Sequence, residues 1–388
     1  MTPVIYLDNN ATTCIVPEVL DSMLPYLTEL YGNPSSMHSF GAQVAKGIRR
    51  SREQVASLLC ASPDEILFTS CGTESDSTAI YGTLARDRNR RHIITTSVEH
   101  PAVLEVCRYL AKTGHDVTFL AVDQQGCIEV SQVEKAIKRN TALITMMWAN
   151  NETGVLFPVE AIAELASERG IPFHTDAVQV VGKIQLNLDR IPIALASLSG
   201  HKLHAPKGVG VLYVKKHMRI DPFLRGGHQE GGRRGGTENV ASIVGLGVAC
   251  EIASRRIEEE RQYVMRLRDH LESEILRRIP ETVRHGHPEQ RLPNTSSIGF
   301  RYVEGEAILL SLSRHNIAAS SGSACTSGSL EPSHVLKAMS VNPTVLNGTI
   351  RFSLSRYNTR EEIDIVLSEL ERIIHRLREM SPFWPPGS

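Results

Sequence analysis

The sequence predicts an α/β protein in which a mostly parallel, doubly wound sheet is covered by helices on both faces. Short apolar runs alternate with helical patterns between about residues 65 and 214, which is the spacing of repeated strand–helix units. The run 142–147 is the most apolar and is expected to be a central strand, because strands buried on both faces are continuously hydrophobic. The length of 388 residues leaves room for about two domains.

The individual elements follow from apolar runs, helix caps and chain breakers. Strands are expected at 66–69, 92–96, 117–122, 142–147, 171–175, 194–199, 208–214, 296–302 and 348–354. Helices are expected at about 17–31, 40–60, 73–84, 130–138, 158–169, 239–278, 304–316, 332–340 and 360–380. In the second helix Arg49, Arg50, Arg52 and Glu53 are predicted to form a solvated face. Thr359 and Glu362 have the spacing of a capping box for the last helix.

Composition excludes several classes of protein. The formal net charge of −1 gives no overall attraction for nucleic acid or anionic membranes, so neither is expected as a partner. No apolar run approaches the length of a membrane span, and the first residues lack a signal-peptide pattern. The seven cysteines are scattered without a Cys-x-x-Cys pair, which predicts neither a disulfide framework nor a zinc site. A cytoplasmic location is therefore expected.

A lysine and an aspartate come at the ends of two neighbouring predicted strands. Lys202 follows the strand 194–199 in the sequence Ser-Gly-His-Lys, and Asp176 ends the preceding strand. Both would face the crevice at the carboxyl ends of the strands, where open α/β sheets bind ligands. A partly desolvated lysine can attack a carbonyl group, and a carboxylate suits a protonated pyridine nitrogen, so the pair predicts a pyridoxal-phosphate site. An ordinary salt bridge is the alternative.

Other strand–helix junctions supply further candidates. Gly72 and Thr73 begin a helix and could bind an anion with free amide groups, although Thr73 could instead be a plain helix cap with Asp76 three residues later. His100 lies at another junction, where a lone histidine is more often structural than catalytic. Asn151 belongs to an asparagine pair that could bind a ring hydroxyl or a carboxylate, or form a turn.

Two segments have unusual compositions. Residues 225–239 contain two Arg-Gly-Gly units, which would suit RNA binding, but no aromatic residue and two glutamates. A flexible loop that reaches into a site is therefore favoured. Residues 318–329 place Cys325 among serine, glycine and alanine, so this cysteine is expected to be exposed and mobile.

Seven motifs resemble those of the cysteine desulfurases, in one order from residue 5 to about 375. They are Leu7–Thr13, Gly32–Ser36, Thr73–Ser75, Val98–His100, Asn150–Gly154, Ser199–Lys202 and Ser321–Gly328. The runs Thr69–Asp76 and Gly200–Pro206 and the tail Ser381–Trp384 are most similar to the nitrogen-fixation, or NifS, branch of that family.

The resemblance implies a homodimeric enzyme of pyridoxal-phosphate fold-type I with a smaller α+β C-terminal domain. Such an enzyme converts L-cysteine to L-alanine and leaves a persulfide on its own cysteine, here Cys325. The sulfur would pass to a scaffold protein similar to NifU or IscU, for iron–sulfur cluster assembly in nitrogenase maturation. General iron–sulfur or tRNA-thiolation supply, and another pyridoxal-phosphate lyase or aminotransferase reaction, are the alternatives. An iron–sulfur scaffold would need several clustered cysteines.

The resemblance also implies a role for each candidate residue. Lys202 would form the Schiff base, Asp176 would bind the pyridine nitrogen, and His100 would stack on the ring and move protons. Contacts to the ring substituents are implied for Asn151 and Gln179. Phosphate contacts are implied for Gly72, Thr73, Ser199, His201 and, from the other subunit, Thr237. The substrate carboxylate would be bound by Arg351 and Asn151, with Arg356 as a second choice for the arginine. No resident metal is expected, although Cys325 could transiently ligate iron–sulfur with a partner.

Domain boundaries are expected from the same comparison. Residues 1–15 would pack with the small domain, residues 16–260 would form the large cofactor-binding domain, and residues 261–388 would form the small domain with the Cys325 loop.

Overall fold

The computed structural model describes residues 3–87, 89–321 and 332–384. The strands are β1 (Ile5–Tyr6), β2 (Ile66–Thr69), β3 (His92–Thr96), β4 (Asp116–Leu120), β5 (Thr141–Met147), β6 (Phe173–Asp176), β7 (Leu195–Ser199), β8 (Gly210–Val214), β9 (Thr282–His285), β10 (Thr295–Phe300), β11 (Ile317–Ala318), β12 (Ser320–Ser321) and β13 (Thr349–Ser353). The helices are α1 (Pro17–Thr28), α2 (Ser39–Leu59), α3 (Gly72–Leu84), α4 (Pro101–Lys112), α5 (Val130–Ala136), α6 (Val159–Glu168), α7 (Val240–Arg278), α8 (Gly305–Arg314), α9 (His334–Ala338), α10 (Pro343–Leu346) and α11 (Arg360–Glu379).

The predicted α/β class and mostly parallel sheet are confirmed. Strands in the large sheet follow the order β2-β8-β7-β6-β5-β3-β4, and the pairs from β7 to β4 are all parallel. Only β8 runs antiparallel to its two neighbours. The connection from β7 to β8 spans residues 200–209, which is too short for the crossover that a parallel pair needs.

Helix ends differ from the predicted ones by a few residues because caps decide them. The α2 helix begins at Ser39, since the His38 side chain accepts a hydrogen bond from the Gly41 amide. It ends before Cys60, whose φ of 50° is left-handed. The capping box of Thr359 and Glu362 is present at the start of α11, as predicted.

The long helix α7 contributes to two hydrophobic cores, one along each half of its length. Its first half packs, through Leu246 and Ala249, into the large core around the parallel sheet. Its second half packs through Leu271 and Ile275 into a smaller core under the antiparallel sheet β12-β13-β10-β9. We propose the domain boundary within α7 near residue 260, where the chain passes from one core to the other.

The N-terminal strand belongs to the smaller core although it begins the chain. β1 pairs in parallel with β11, and Leu7 is fully buried in the smaller core. The next residues then cross to the parallel sheet, so one short segment connects both halves of the molecule. None of the helices described has the length and apolarity needed to cross a bilayer.

The prediction that Arg52 is solvated is wrong. Its guanidinium forms a bidentate ion pair with Glu230, with Nη2–Oε1 and Nη1–Oε2 distances of 2.6 and 2.9 Å. It also lies over the Phe68 ring. Glu230 is buried and also accepts a hydrogen bond from the Phe68 amide. The glycine-rich segment 225–239 is therefore anchored to the edge of the sheet.

Two of the three arginines of this segment, Arg233 and Arg234, are also engaged within the chain. Arg234 pairs with Glu74, and Arg233 donates to the carbonyls of Asp64 and Ile66. These contacts do not favour the RNA-binding alternative, because the two guanidinium groups are already bonded to protein oxygens instead of being available to phosphate.

Arg52→Ala should lower the free energy of unfolding by about 3–5 kcal/mol, because it leaves the buried Glu230 carboxylate unpaired. Chemical denaturation measures this loss. The matched control is Arg108→Ala, which removes an exposed ion pair with Glu105 and should cost less than about 1 kcal/mol. Adding Glu230→Gln to Arg52→Ala should recover part of the loss, and equal losses in the single and double variants would contradict this explanation.

Candidate functional site

A cavity of about 220 Å³ lies at the carboxyl ends of the central parallel strands. Met147, Asp176 and Ser199 are the last residues of β5, β6 and β7, and all three line it. The predicted site residues on its wall are Gly72, Thr73, His100, Asn151, Asp176, Gln179, Ser199, His201 and Lys202. The five loops that follow β2, β3, β5, β6 and β7 thus meet at one crevice, as expected for an open α/β sheet.

Lys202 reaches the cavity from the single helical turn that follows β7. Its Nζ donates to the backbone carbonyls of Asn10, at 2.5 Å, and Ala11, at 2.7 Å. Both acceptors lie in the N-terminal segment. The side chain is therefore held at the wall by a segment almost two hundred residues away in sequence.

Asp176 is a buried carboxylate at the floor of the cavity. Its Oδ1 accepts a hydrogen bond of 2.9 Å from the Val178 amide. Burial raises its pKa, and the proximity of His100, the Val178 hydrogen bond and the charge of Lys202 oppose that rise. A cationic group bound in the cavity would stabilise the ionised form further.

Burial disfavours the charged forms of His174 and Asp76, which lie close to Asp176. His174 bonds to the hydroxyls of Thr145 at 2.8 Å and Ser197 at 2.9 Å, and burial lowers its pKa to about 3. Burial, followed by the nearby charge of Asp176, raises the pKa of Asp76. The Oδ1 atom of Asp76 is buried and has no hydrogen-bond partner within the described chain.

The amino end of α3 faces the cavity without a side-chain cap. The helix begins at Gly72 with Cys71 as its N-cap residue, and the Cys71 side chain makes no capping hydrogen bond. The alternative in which Thr73 caps the helix is wrong, since Thr73 is already inside the first turn. A β-carbon on Gly72 would meet Val178 at 3.0 Å, so glycine leaves room at this wall. Amide groups and the helix dipole are therefore available to an anion.

His100 is the N-cap residue of α4. Its Nδ1 accepts a hydrogen bond of 3.2 Å from the Ala102 amide, so the neutral ring has its proton on Nε2. Burial lowers its pKa, with Asp176 opposing this effect and Lys202 adding to it. His100 is thus both a structural cap and a neutral imidazole on the cavity wall.

Asn10 and Lys183 were not predicted from the sequence, yet Asn10 lines the cavity and Lys183 contacts Gln179 on its wall. The Asn10 carbonyl accepts from Gln179 as well as from Lys202, and the Asn10 side chain donates to the Asn151 carbonyl at 3.1 Å. Lys183 donates to the carbonyl and the side-chain oxygen of Gln179, which leaves the Gln179 amide nitrogen as a donor. Burial, then the charges of Lys202 and Arg351, lowers the pKa of Lys183 to about 7.

Arg351 lies in β13 behind Asn151. It is 1 % exposed and donates to the Asn151 carbonyl at 3.1 Å and to Asp8 at 2.7 Å. Its Nε is buried without a hydrogen-bond partner among the described residues. Arg356, the second choice for a carboxylate ligand, instead pairs with Glu260.

Comparisons with known proteins identify the family. The model of the aminotransferase class-V family matches residues 5–366. A cysteine desulfurase of Trichormus azollae is 57% identical over 98% of this chain and 95% of its own length. The chain belongs to the cysteine desulfurase family. The cysteine desulfurase NifS of Azotobacter vinelandii is 56% identical over the same shares. A solved structure of a NifS-like protein, 38% identical, has a TM-score of 0.91 and covers 96% of this chain and 100% of its own.

Thr237 and Arg351, both expected in the site of a cysteine desulfurase, are not among the residues that line this cavity. Thr237 is exposed and lines a separate depression with Arg234 and Glu238. Its predicted contact with the site of another subunit stays a prediction. Cys325 lies outside the described residues.

The cysteines that the structure describes do not cluster. Burial raises the pKa of Cys107 and Cys250 to about 12 and that of Cys127 to about 11, so their thiols are unreactive at neutral pH. No group of three or more His, Cys, Asp or Glu residues within the described ranges could hold a metal.

The His174 environment predicts a pH dependence of stability. Because the folded pKa is about 3 and the unfolded value about 6.5, only the unfolded chain binds this proton as the pH falls from 6.5. Stability should therefore fall on acidification, and His174→Gln should remove about 1.5 kcal/mol of the wild-type loss between pH 6.5 and pH 5.

Urea denaturation at the two pH values measures that difference. His375→Gln, at an exposed position of α11, is the matched control and should leave the wild-type slope unchanged. Identical slopes in His174→Gln and wild type would contradict the assignment of a neutral buried His174.

Proposed function

We propose that this cavity binds pyridoxal phosphate and removes sulfur from L-cysteine, giving L-alanine and a persulfide on Cys325. The observation that carries the proposal is the meeting of Lys202, Asp176 and the uncapped start of α3 on one wall, in a chain of the cysteine desulfurase family. The class-V aminotransferase relationship supports the cofactor, and the names of the relatives support the substrate.

The residues present fit pyridoxal phosphate. The amide groups at the start of α3, next to Ser199 and His201, suit a phosphate. Asp176 suits a protonated ring nitrogen, since burial makes its negative charge costly without a cation. Gln179 suits the phenolic oxygen because Lys183 leaves its amide nitrogen as the donor. Lys202 supplies the amine for the aldehyde.

Each residue then has a separate task. When bound, pyridoxal phosphate withdraws electrons from the bonds at the substrate Cα. Lys202 takes the proton from Cα, and it lies beside carbonyls that can hold the resulting ammonium group. His100 is neutral with its proton on Nε2, so it can give up and regain a proton at that atom. Arg351 binds the carboxylate and fixes the orientation of the substrate.

Sulfur transfer balances without an added oxidant. The Cys325 thiolate attacks the sulfur of the substrate, forming an S–S bond while the Cβ–S bond breaks. The electron pair of the broken bond stays on carbon, which takes a proton to become the methyl group of alanine. The persulfide is the oxidised product, and a sulfur-acceptor protein, similar to the NifU or IscU scaffolds, receives the sulfur from it.

A role in nitrogenase maturation is the more specific part of the proposal. It is supported by the 56% identity to a relative named NifS. General iron–sulfur supply and tRNA thiolation are the alternatives for the same chemistry.

A homodimer is supported by an exposed apolar stripe on α1 and the segment after it. Leu20, Leu24, Leu27 and Tyr31 recur at helical spacing and are 45, 47, 59 and 74% exposed. A second copy of the chain that covers the stripe would bury it.

Cys325→Ala should abolish persulfide formation and reduce alanine production from L-cysteine at least a hundredfold, roughly the loss expected when a nucleophile is removed. Cofactor content and the spectral change on adding cysteine should remain. Alanine is measured by chromatography and the persulfide by mass spectrometry of the protein.

The matched control is Cys60→Ser, which removes an exposed thiol at the end of α2 and should retain wild-type activity. Full alanine production by Cys325→Ala would show that another group accepts the sulfur, and sulfide released directly would favour the lyase alternative.

A further inference from the structure

We propose that Asp8 is a positioning residue whose negative charge weakens the binding of carboxylates by Arg351. The inference rests on the proposed function, in which Arg351 binds the carboxylate of the amino acid. It adds that the N-terminal segment sets the affinity of this site for both substrate and product.

The two side chains form an ion pair between distant parts of the chain. The Asp8 Oδ1 atom accepts from Arg351 Nη2 at 2.7 Å, although the residues are 343 positions apart. The side chain of Arg351 is 1 % exposed and that of Asp8 is 20 % exposed. Asp8 also pairs with Ser353 through the backbone, so the segment is fixed beside β13.

The donors of Arg351 are only partly used. Nη2 is bonded to Asp8 and Nη1 to the carbonyl of Asn151, which lines the cavity. Nε is buried with no hydrogen-bond partner in the described part of the chain. An unused buried donor next to the wall of a cavity indicates that the guanidinium can accept a further anion.

Asp8 has opposite effects in the two states of such a site. Without a ligand, it neutralises a buried guanidinium that would otherwise be costly to bury alone. With a carboxylate bound to Arg351, Asp8 becomes a like charge that contacts the same guanidinium group. The repulsion lowers affinity for L-cysteine and L-alanine alike, because both carry the same carboxylate. Uniform weakening of this kind raises KM and assists release of the product without lowering kcat.

A purely structural role would give a different result. The backbone carbonyl of Asp8 accepts from the amides of Ala11 and Thr12, and these bonds do not need the side-chain charge. Asp8→Asn keeps a side-chain oxygen for Arg351 and removes only the charge. Asp8→Ala removes both, so the two variants separate charge from orientation.

The test is calorimetric titration of the holoenzyme with mercaptopropionate, which has the thiol and the carboxylate of cysteine but no amine. Asp8→Asn should bind it roughly threefold to tenfold more tightly than wild type, the effect of one charge a few ångströms away at an effective dielectric constant between those of water and protein. Asp8→Ala, which no longer orients Arg351, should bind it less tightly than Asp8→Asn.

Two controls isolate the carboxylate. Mercaptoethanol, which is neutral, should bind all variants equally. Asp189→Asn removes an exposed negative charge elsewhere and should leave the affinity for mercaptopropionate unchanged. In steady-state assays Asp8→Asn should lower KM for cysteine by the same factor, with kcat unchanged or lower.

The outcomes distinguish this inference from the proposed function. Unchanged or weaker binding of mercaptopropionate by Asp8→Asn would overturn the role of Asp8, provided that Arg351→Ala abolishes the binding. Wild-type binding by Arg351→Ala would instead show that Arg351 is not the carboxylate ligand, and both assignments would then fail.

Discussion

The site depends on the hydrogen bonds that hold the N-terminal segment against the carboxyl ends of the parallel strands. Asn10 connects the two halves: its carbonyl accepts from Lys202 and Gln179, and its side chain bonds to the Asn151 carbonyl, Thr295 and Asn294. Asn10 is 2% exposed, so water cannot replace these partners. The small-domain sheet and the cofactor cavity therefore share one residue.

Burial shifts the pKa values of ionisable groups at and near the cavity. Burial lowers the pKa of His174 to about 3, lowers the pKa of His100 and raises that of Asp76, so it disfavours the charged form of each group. The same low-polarity surroundings strengthen each remaining interaction with a phosphate, a carboxylate or a ring nitrogen. In the proposed function the helix start at Gly72 binds the anionic cofactor and the guanidinium of Arg351 binds the amino acid, so the two anions have separate sites.

The sequence predicted the site residues that directly follow a strand. Asp176 and Lys202 come at strand ends, and the rule that parallel strands end at one edge brings them together. The roles of Asp8, Asn10 and Lys183 were not predicted, because their partners are distant in sequence. Asp8 and Arg351, for example, are 343 positions apart. The prediction of a solvated Arg52 was wrong for the same reason, since helical periodicity does not show that Glu230 lies opposite.

Reduction of the holoenzyme with borohydride followed by peptide mapping tests the central claim most directly, because it fixes the cofactor to the amine that holds it. Two half-buried lysines compete for this role, and Lys183 has a pKa lowered to about 7, as a reactive amine would have. Lys183 is not among the residues that line the cavity, and its amine is bonded to Gln179, whereas Lys202 lines the cavity together with Asp176. The account predicts the cofactor on the peptide containing Lys202. Recovery of the cofactor on Lys183, or on any other lysine, would contradict it.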